Sequence, residues 1–146
     1  MDRTGRRCVA LVGGGLFWVL ACGDAGSSTT ALPPGPTEIT FAAAVQPILT
    51  RSCAFEGCHA GPNPQLGMNL SAGAAHGDLV GVPSAQVPRL QRVAPSAPDS
   101  SYVILKLEGD AGAVGGVGTR MPLGGALTQA EIDTIRVWIG RGAPNN

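Results

Sequence analysis

Aromatic residues are scarce in this 146-residue chain. Between Thr37 and Asn146 they are Phe41, Phe55, Tyr102 and Trp138, although aromatic side chains normally supply much of the buried area of a small core. A domain of about 100 residues is only marginally stable on its own apolar surface, so a large apolar group bound in its middle is a natural remedy. An excess of charge of one sign is missing too. The formal net charge is zero, and setting aside residues 1–21, which hold Arg3, Arg6, Arg7 and Asp2, leaves 7 basic and 9 acidic residues. With no basic patch, no nucleic-acid partner is expected. Nor is there a run long enough to span a bilayer: the apolar stretch from Cys8 to Ala21 has 14 residues, Gly13, Gly14 and Gly15 among them, against the ~20 of a spanning helix. Long regular elements are excluded by 22 Gly and 12 Pro, which favour short helices joined by irregular loops and make a sheet-rich fold hard to build. Length leaves room for one domain behind an N-terminal targeting segment.

Arg3, Arg6 and Arg7 ahead of the apolar stretch, and the polar run Gly23 to Thr30 behind it, have the layout of a secretory signal. Val19-Leu20-Ala21-Cys22 resembles the lipobox of bacterial lipoproteins. That resemblance implies a signal peptide over residues 1–21, removed on export, and a lipid on Cys22 that anchors the chain to a membrane facing the periplasm or the cell exterior. Ordinary cleavage nearby, with a free Cys22 thiol, is the alternative. The Ser, Thr, Gly and Pro that follow make residues 22–38 a flexible tether, and 39–146 the folded domain.

Outside the leader and Cys22, the remaining cysteines are Cys53 and Cys58, in Cys53-Ala-Phe-Glu-Gly-Cys58-His59. The haem-attachment pattern C-x-x-C-H lets two thiols add to the two vinyl groups while the adjacent imidazole meets the iron. Here the Cys-His adjacency holds, but four residues separate the thiols, and Gly57 supplies the bend that the longer loop needs. Three other readings compete. A disulfide between Cys53 and Cys58 suits an oxidising compartment but leaves His59 unexplained. A zinc site needs further ligands and finds only His76 among the other His and Cys residues outside the leader. A redox-active thiol pair normally shows C-x-x-C at a helix start.

From about Phe41 to Ala143 the sequence resembles class I-like monohaem cytochrome c domains of exported bacterial proteins, including those with a widened C-x(4)-C-H site. The likeness is carried by Val45-Gln46-Pro47-Ile48-Leu49 before the Cys-His cluster, by Arg120-Met121-Pro122, and by Leu127-Thr128-Gln129-Ala130-Glu131-Ile132 leading to Trp138-Ile139. It implies an all-α fold of three to five short helices around one covalent haem c, with the first and last helices crossing to support it. It also implies electron transfer rather than catalysis, with Cys53 and Cys58 holding the porphyrin, His59 the iron, and redox proteins as partners. Met121 is the candidate for the sixth ligand, because the Met-Pro pair of these domains stands there, beyond a Gly-rich loop (Gly109, Gly112, Gly115, Gly116, Gly118) able to fold across a haem edge. Met68 is read as a core residue and His76 as a solvated one. His/Met ligation of a buried haem favours the reduced state, so a positive midpoint potential is expected. A five-coordinate iron with peroxidase-like or gas-binding activity, and a haem-free structural lipoprotein, are the alternatives.

The helices are written with unequal clarity. Thr128 and Glu131 form a capping box, Gly140 or Gly142 ends that helix, and Ile132, Ile135, Trp138 and Ile139 make one apolar stripe. Phe41, Val45, Ile48 and Leu49 mark a first helix that Pro47 kinks. A third helix is expected over Ser100 to Leu107, capped by Asp99 or Ser100. The Gly-rich run is no phosphate loop, since no Lys-Ser/Thr follows it. Arg89, Arg92 and Lys106 are read as scattered surface charge, with a ring around a haem edge as the alternative.

Overall fold

The computed structural model describes residues 38–146; the leader, Cys22 and the tether up to residue 37 lie outside them. The described residues are helical, joined by loops and isolated backbone bridges, with no strand among them. The all-α expectation therefore holds for this part of the chain.

The first helical stretch opens as a π-helical turn, Phe41–Val45, and continues as helix α1, Gln46–Ser52. Pro47 accounts for the change of winding. It has no N–H to offer the Ala43 carbonyl, and its ring crowds that carbonyl. The Gln46 N–H reaches back to Phe41 instead, five residues away, which is the wide spacing of a π turn. The disturbance lies just N-terminal to Pro47, and Phe41, Val45, Ile48 and Leu49 all remain buried. The free N–H groups at the start of this stretch are met twice over. Thr40 Oγ1 accepts from Ala43 N, while Asn146 accepts from Phe41 N at 2.9 Å through its side chain and from Ala42 N at 2.8 Å through its main chain.

Helices α2 (Ala75–Leu79), α3 (Tyr102–Glu108) and α4 (Gln129–Gly140) follow. In α4 the capping box is complete: Thr128 accepts from Glu131 N, and the Glu131 carboxylate accepts from Thr128 N at 2.8 Å. Gly140 is its last helical residue, and Gly142, at φ +96°, makes the left-handed turn that ends it. Helix α3 starts later than its sequence pattern predicts, because Pro98–Ser100 forms a 3-10 turn and Ser101 becomes the cap residue. Ser101 is fully buried; its hydroxyl accepts from Ala94 N and donates to Ala97 O, both at 2.9 Å. Asp99 does not cap. Its carboxylate pairs with Arg136, which also meets Glu108 at 3.1 Å and so ties α4 to α3.

Trp138, Ile132, Ile135 and Ile139 of α4 are almost completely buried, as the stripe predicts, and pack with Phe41, Val45, Ile48 and Leu49 into the main core. A smaller cluster of Val87, Tyr102 and Ala111 lies apart from it.

Candidate functional site

Helix α1 ends at Ser52, and the next residues coil back on themselves. The Cys53 carbonyl accepts from Phe55 N at 2.9 Å and from His59 N at 3.3 Å, while Phe55 O accepts from Cys58 N at 3.0 Å. Four intervening residues fit into this tight loop because Gly57 sits at φ +80°, a conformation that L side chains rarely adopt. The loop leaves Cys53 half-buried and Cys58 exposed, both with free thiols. Burial, with a smaller contribution from Cys58, pushes the Cys53 thiol up to about 11.

His59 is fixed from both sides of its own residue. Its carbonyl accepts from Leu70 N at 2.7 Å, and its ring Nδ1 lies 3.3 Å from the Met68 carbonyl. Since a carbonyl only accepts, the proton sits on Nδ1 and the lone pair on Nε2 is left for a ligand. Burial lowers the imidazole pKa, although the hydrogen bond to Met68 works against it; the neutral form, the one that binds metal ions, is thereby favoured.

The Met68 segment is itself braced. Asp78 accepts from Asn69 N at 2.7 Å, Gln46 Nε2 donates to Leu70 O at 3.0 Å, and Arg92 donates to Leu66 O at 2.9 Å and Asp78 O at 2.7 Å.

Cys53, His59 and Met121 all face one pocket of about 800 Å³, counting the part open to solvent. The walls are almost wholly apolar. Leu49, Leu70, Leu107, Leu127 and Ile135 come from the main core, and Tyr102 from the smaller cluster. Met121 reaches it from the far side of the Gly-rich segment. Gly109 ends α3 at φ +94°, Ala111–Val114 forms a 3-10 turn, and the Met121 N–H then donates to Lys106 O at 3.0 Å, laying Met121 against the end of α3.

The other sequence candidates divide. Met68 lines the same pocket rather than filling the core alone, while its carbonyl holds the imidazole. His76 is not solvated: it lies away from the pocket, half-buried, with Nε2 2.9 Å from Ala143 O and its ring edge-on to Phe41 and Trp138. Cys58 is outside the pocket's lining. Among the described residues no three His, Cys, Asp or Glu side chains gather in one place. Arg92 and Lys106, set down as scattered surface charge, both line the pocket, whereas Arg89 is bonded to Val114 O elsewhere. Sequence spacing could not reveal this, because the loop carrying Arg92 and the helix carrying Lys106 meet only in the fold.

The chain matches no protein-family model, and comparison with curated proteins and with solved structures finds no significant similarity to either.

Proposed function

We propose that the domain is a monohaem c-type cytochrome, an electron carrier with haem held through Cys53 and Cys58, and His59 and Met121 as its iron ligands. The observation that supports this reading best is the convergence of Cys53, His59 and Met121 on one apolar pocket in a chain otherwise poor in aromatic filling. Haem, when bound, supplies an iron that takes up one electron from a donor protein and passes it to an acceptor.

The chain's own residues suit that cofactor in separate ways. Cys53 lies in the wall, while Cys58, at the exposed end of the loop, provides the second thiol. His59 presents an unprotonated Nε2 in a fixed orientation, the outer hydrogen bond that metal-binding imidazoles use to set tautomer and basicity. Met121 offers a thioether from a different loop, and thioether ligation raises the potential of a haem. The leucine and isoleucine walls exclude water and further disfavour the more highly charged ferric state. Lipid anchorage at Cys22, and a place outside the cytoplasm where redox partners meet the domain, belong to the same proposal.

Intact-mass analysis of the protein, made in cells equipped for cytochrome c maturation, tests it. A mass above that of the polypeptide by one haem supports the reading. A bare polypeptide with Cys53 and Cys58 oxidised to a disulfide refutes it.

A further inference from the structure

Leu66 is held in a strained conformation beside the pocket. Its φ of 56° and ψ of 26° lie in the left-handed region, where a branched L side chain crowds its own backbone. Gly67, next along, has φ +60° and no side chain to crowd. A strained leucine persists only where its surroundings over-determine it, and here they do. Gln65 is clamped to the widened Cys53–Cys58 loop: its N–H donates to Cys58 O at 2.7 Å and its Nε2 to Gly57 O at 3.3 Å. Met68 N donates to Gln65 O at 3.2 Å and closes the turn, while Arg92, from a separate loop, donates to Leu66 O at 2.9 Å.

Leu66 is also 55% exposed. The large exposed apolar side chains among the described residues are Phe55, Leu66, Val117, Leu123 and Val137, and of these Leu66 alone lines the pocket. A residue that belongs both to the pocket wall and to the open surface stands where the two meet, at the mouth. Glycine or asparagine would sit at an exposed left-handed position with less strain. Leucine brings no advantage to the turn itself, so its use lies in what the side chain covers.

We infer that Leu66 is a fixed apolar gate at the mouth of the pocket, held over the haem edge by the Gln65 clamp and by Arg92, where it keeps water out and so helps to set the potential. The inference rests on the haem reading above and deepens it. Relaxing the backbone would swing the side chain away from the mouth, and the clamp prevents this. Water at a haem edge favours the more highly charged ferric state, and its exclusion favours the ferrous one. The widened loop thereby gains a second use: the carbonyls of Gly57 and Cys58 anchor the turn that carries the gate.

The test uses the haem-loaded full chain, with Leu66→Asn, a polar residue that tolerates the left-handed region, and Leu66→Met, which keeps the mouth apolar. Midpoint potential and the urea midpoint of unfolding are measured for both. For Leu66→Asn the iron equilibrium should shift at least about threefold toward the ferric state, ~28 mV for one electron, while the urea midpoint equals or exceeds the parent's because strain is relieved. Leu66→Met should keep a potential close to the parent's. An unchanged potential in Leu66→Asn, or a potential in Leu66→Met as low as that of Leu66→Asn, overturns the gate and leaves the haem reading intact. A potential that falls together with the urea midpoint in Leu66→Asn overturns it as well, since Leu66 would then be an ordinary packing residue. Parent protein that takes up no haem overturns the haem reading itself, and the gate with it.

Discussion

His59 Nδ1 and the carbonyl oxygen of Met68 lie 3.3 Å apart, so one of the two methionines on the pocket acts on the imidazole through its main chain. The two thioethers are therefore distinguishable. Met68→Leu keeps that carbonyl and should leave the sulfur-to-iron charge-transfer band and the potential of the haem-loaded protein largely unchanged. Met121→Ala should abolish the band and lower the potential, since thioether ligation raises it. Absorption spectra of the two variants decide between them; a band lost in Met68→Leu and kept in Met121→Ala would reverse the assignment.

The two thiols of the haem-free chain should differ in reactivity. Cys53 is half-buried with its pKa raised to about 11, which leaves about one thiol in a thousand ionised at pH 8, and the thiolate is the reactive form. Cys58 is exposed. Alkylation followed by peptide mapping is expected to label Cys58 at least tenfold faster. Equal rates would mean that the loop does not hold Cys53 against the wall.

Glu131 links helix stability to pH. Its carboxylate accepts from Arg51 and from Thr128, and these contacts, Arg51 foremost, hold its pKa at about 2 rather than the ordinary 4.5. A depressed carboxylate pKa means that the folded state binds fewer protons than the unfolded one. The stabilisation is therefore present above pH 4.5 and is lost progressively as pH falls toward 2. Thermal unfolding of Glu131→Gln should be less pH-dependent than wild type across that window. At neutral pH, Thr128→Ala, which removes the other half of the capping box, should cost about 1 kcal/mol. An unaltered pH slope in Glu131→Gln would contradict this origin.

Gly116 packs beneath Tyr102. A methyl group there would stand 2.2 Å from the Tyr102 hydroxyl and 2.8 Å from the Ala111 carbonyl, while the hydroxyl is engaged by Gln86 Oε1, which also accepts from Val117 N. Gly116→Ala should destabilise the chain by ~1–3 kcal/mol, the usual penalty of overpacking, read as a lower urea midpoint. A midpoint equal to that of the parent would show that the segment moves aside freely.

What the sequence made legible is local. Helix α4 could be read almost residue by residue, because a capping box, an apolar stripe and terminal glycines all act within one helix. The bend at Gly57 was legible for the same reason. The first helix was harder: Pro47 announced a disturbance, but the π turn just ahead of it arises from which carbonyl the Gln46 N–H finds. The cap of α3, expected at Asp99 or Ser100 and found at Ser101, and the setting of His76 escaped the sequence because the partners of Ser101 and His76, Ala94 and Ala143 among them, are chosen by tertiary packing. A buried serine or histidine in a polar stretch carries no mark of that. The brace on His59 from Met68, Asp78 and Arg92, and the placing of Lys106 beside the pocket, depend on contacts between separate helices and loops. Periodicity and spacing are silent there.

The most direct test of the central proposal is a pyridine haemochrome spectrum of the purified protein, produced with cytochrome c maturation machinery and fully denatured to strip loosely held haem. The expected result is a c-type α-band that stays with the polypeptide, with one haem per chain. Absence of haem absorbance from the denatured chain would contradict it and leave a small helical domain whose apolar pocket serves some other ligand.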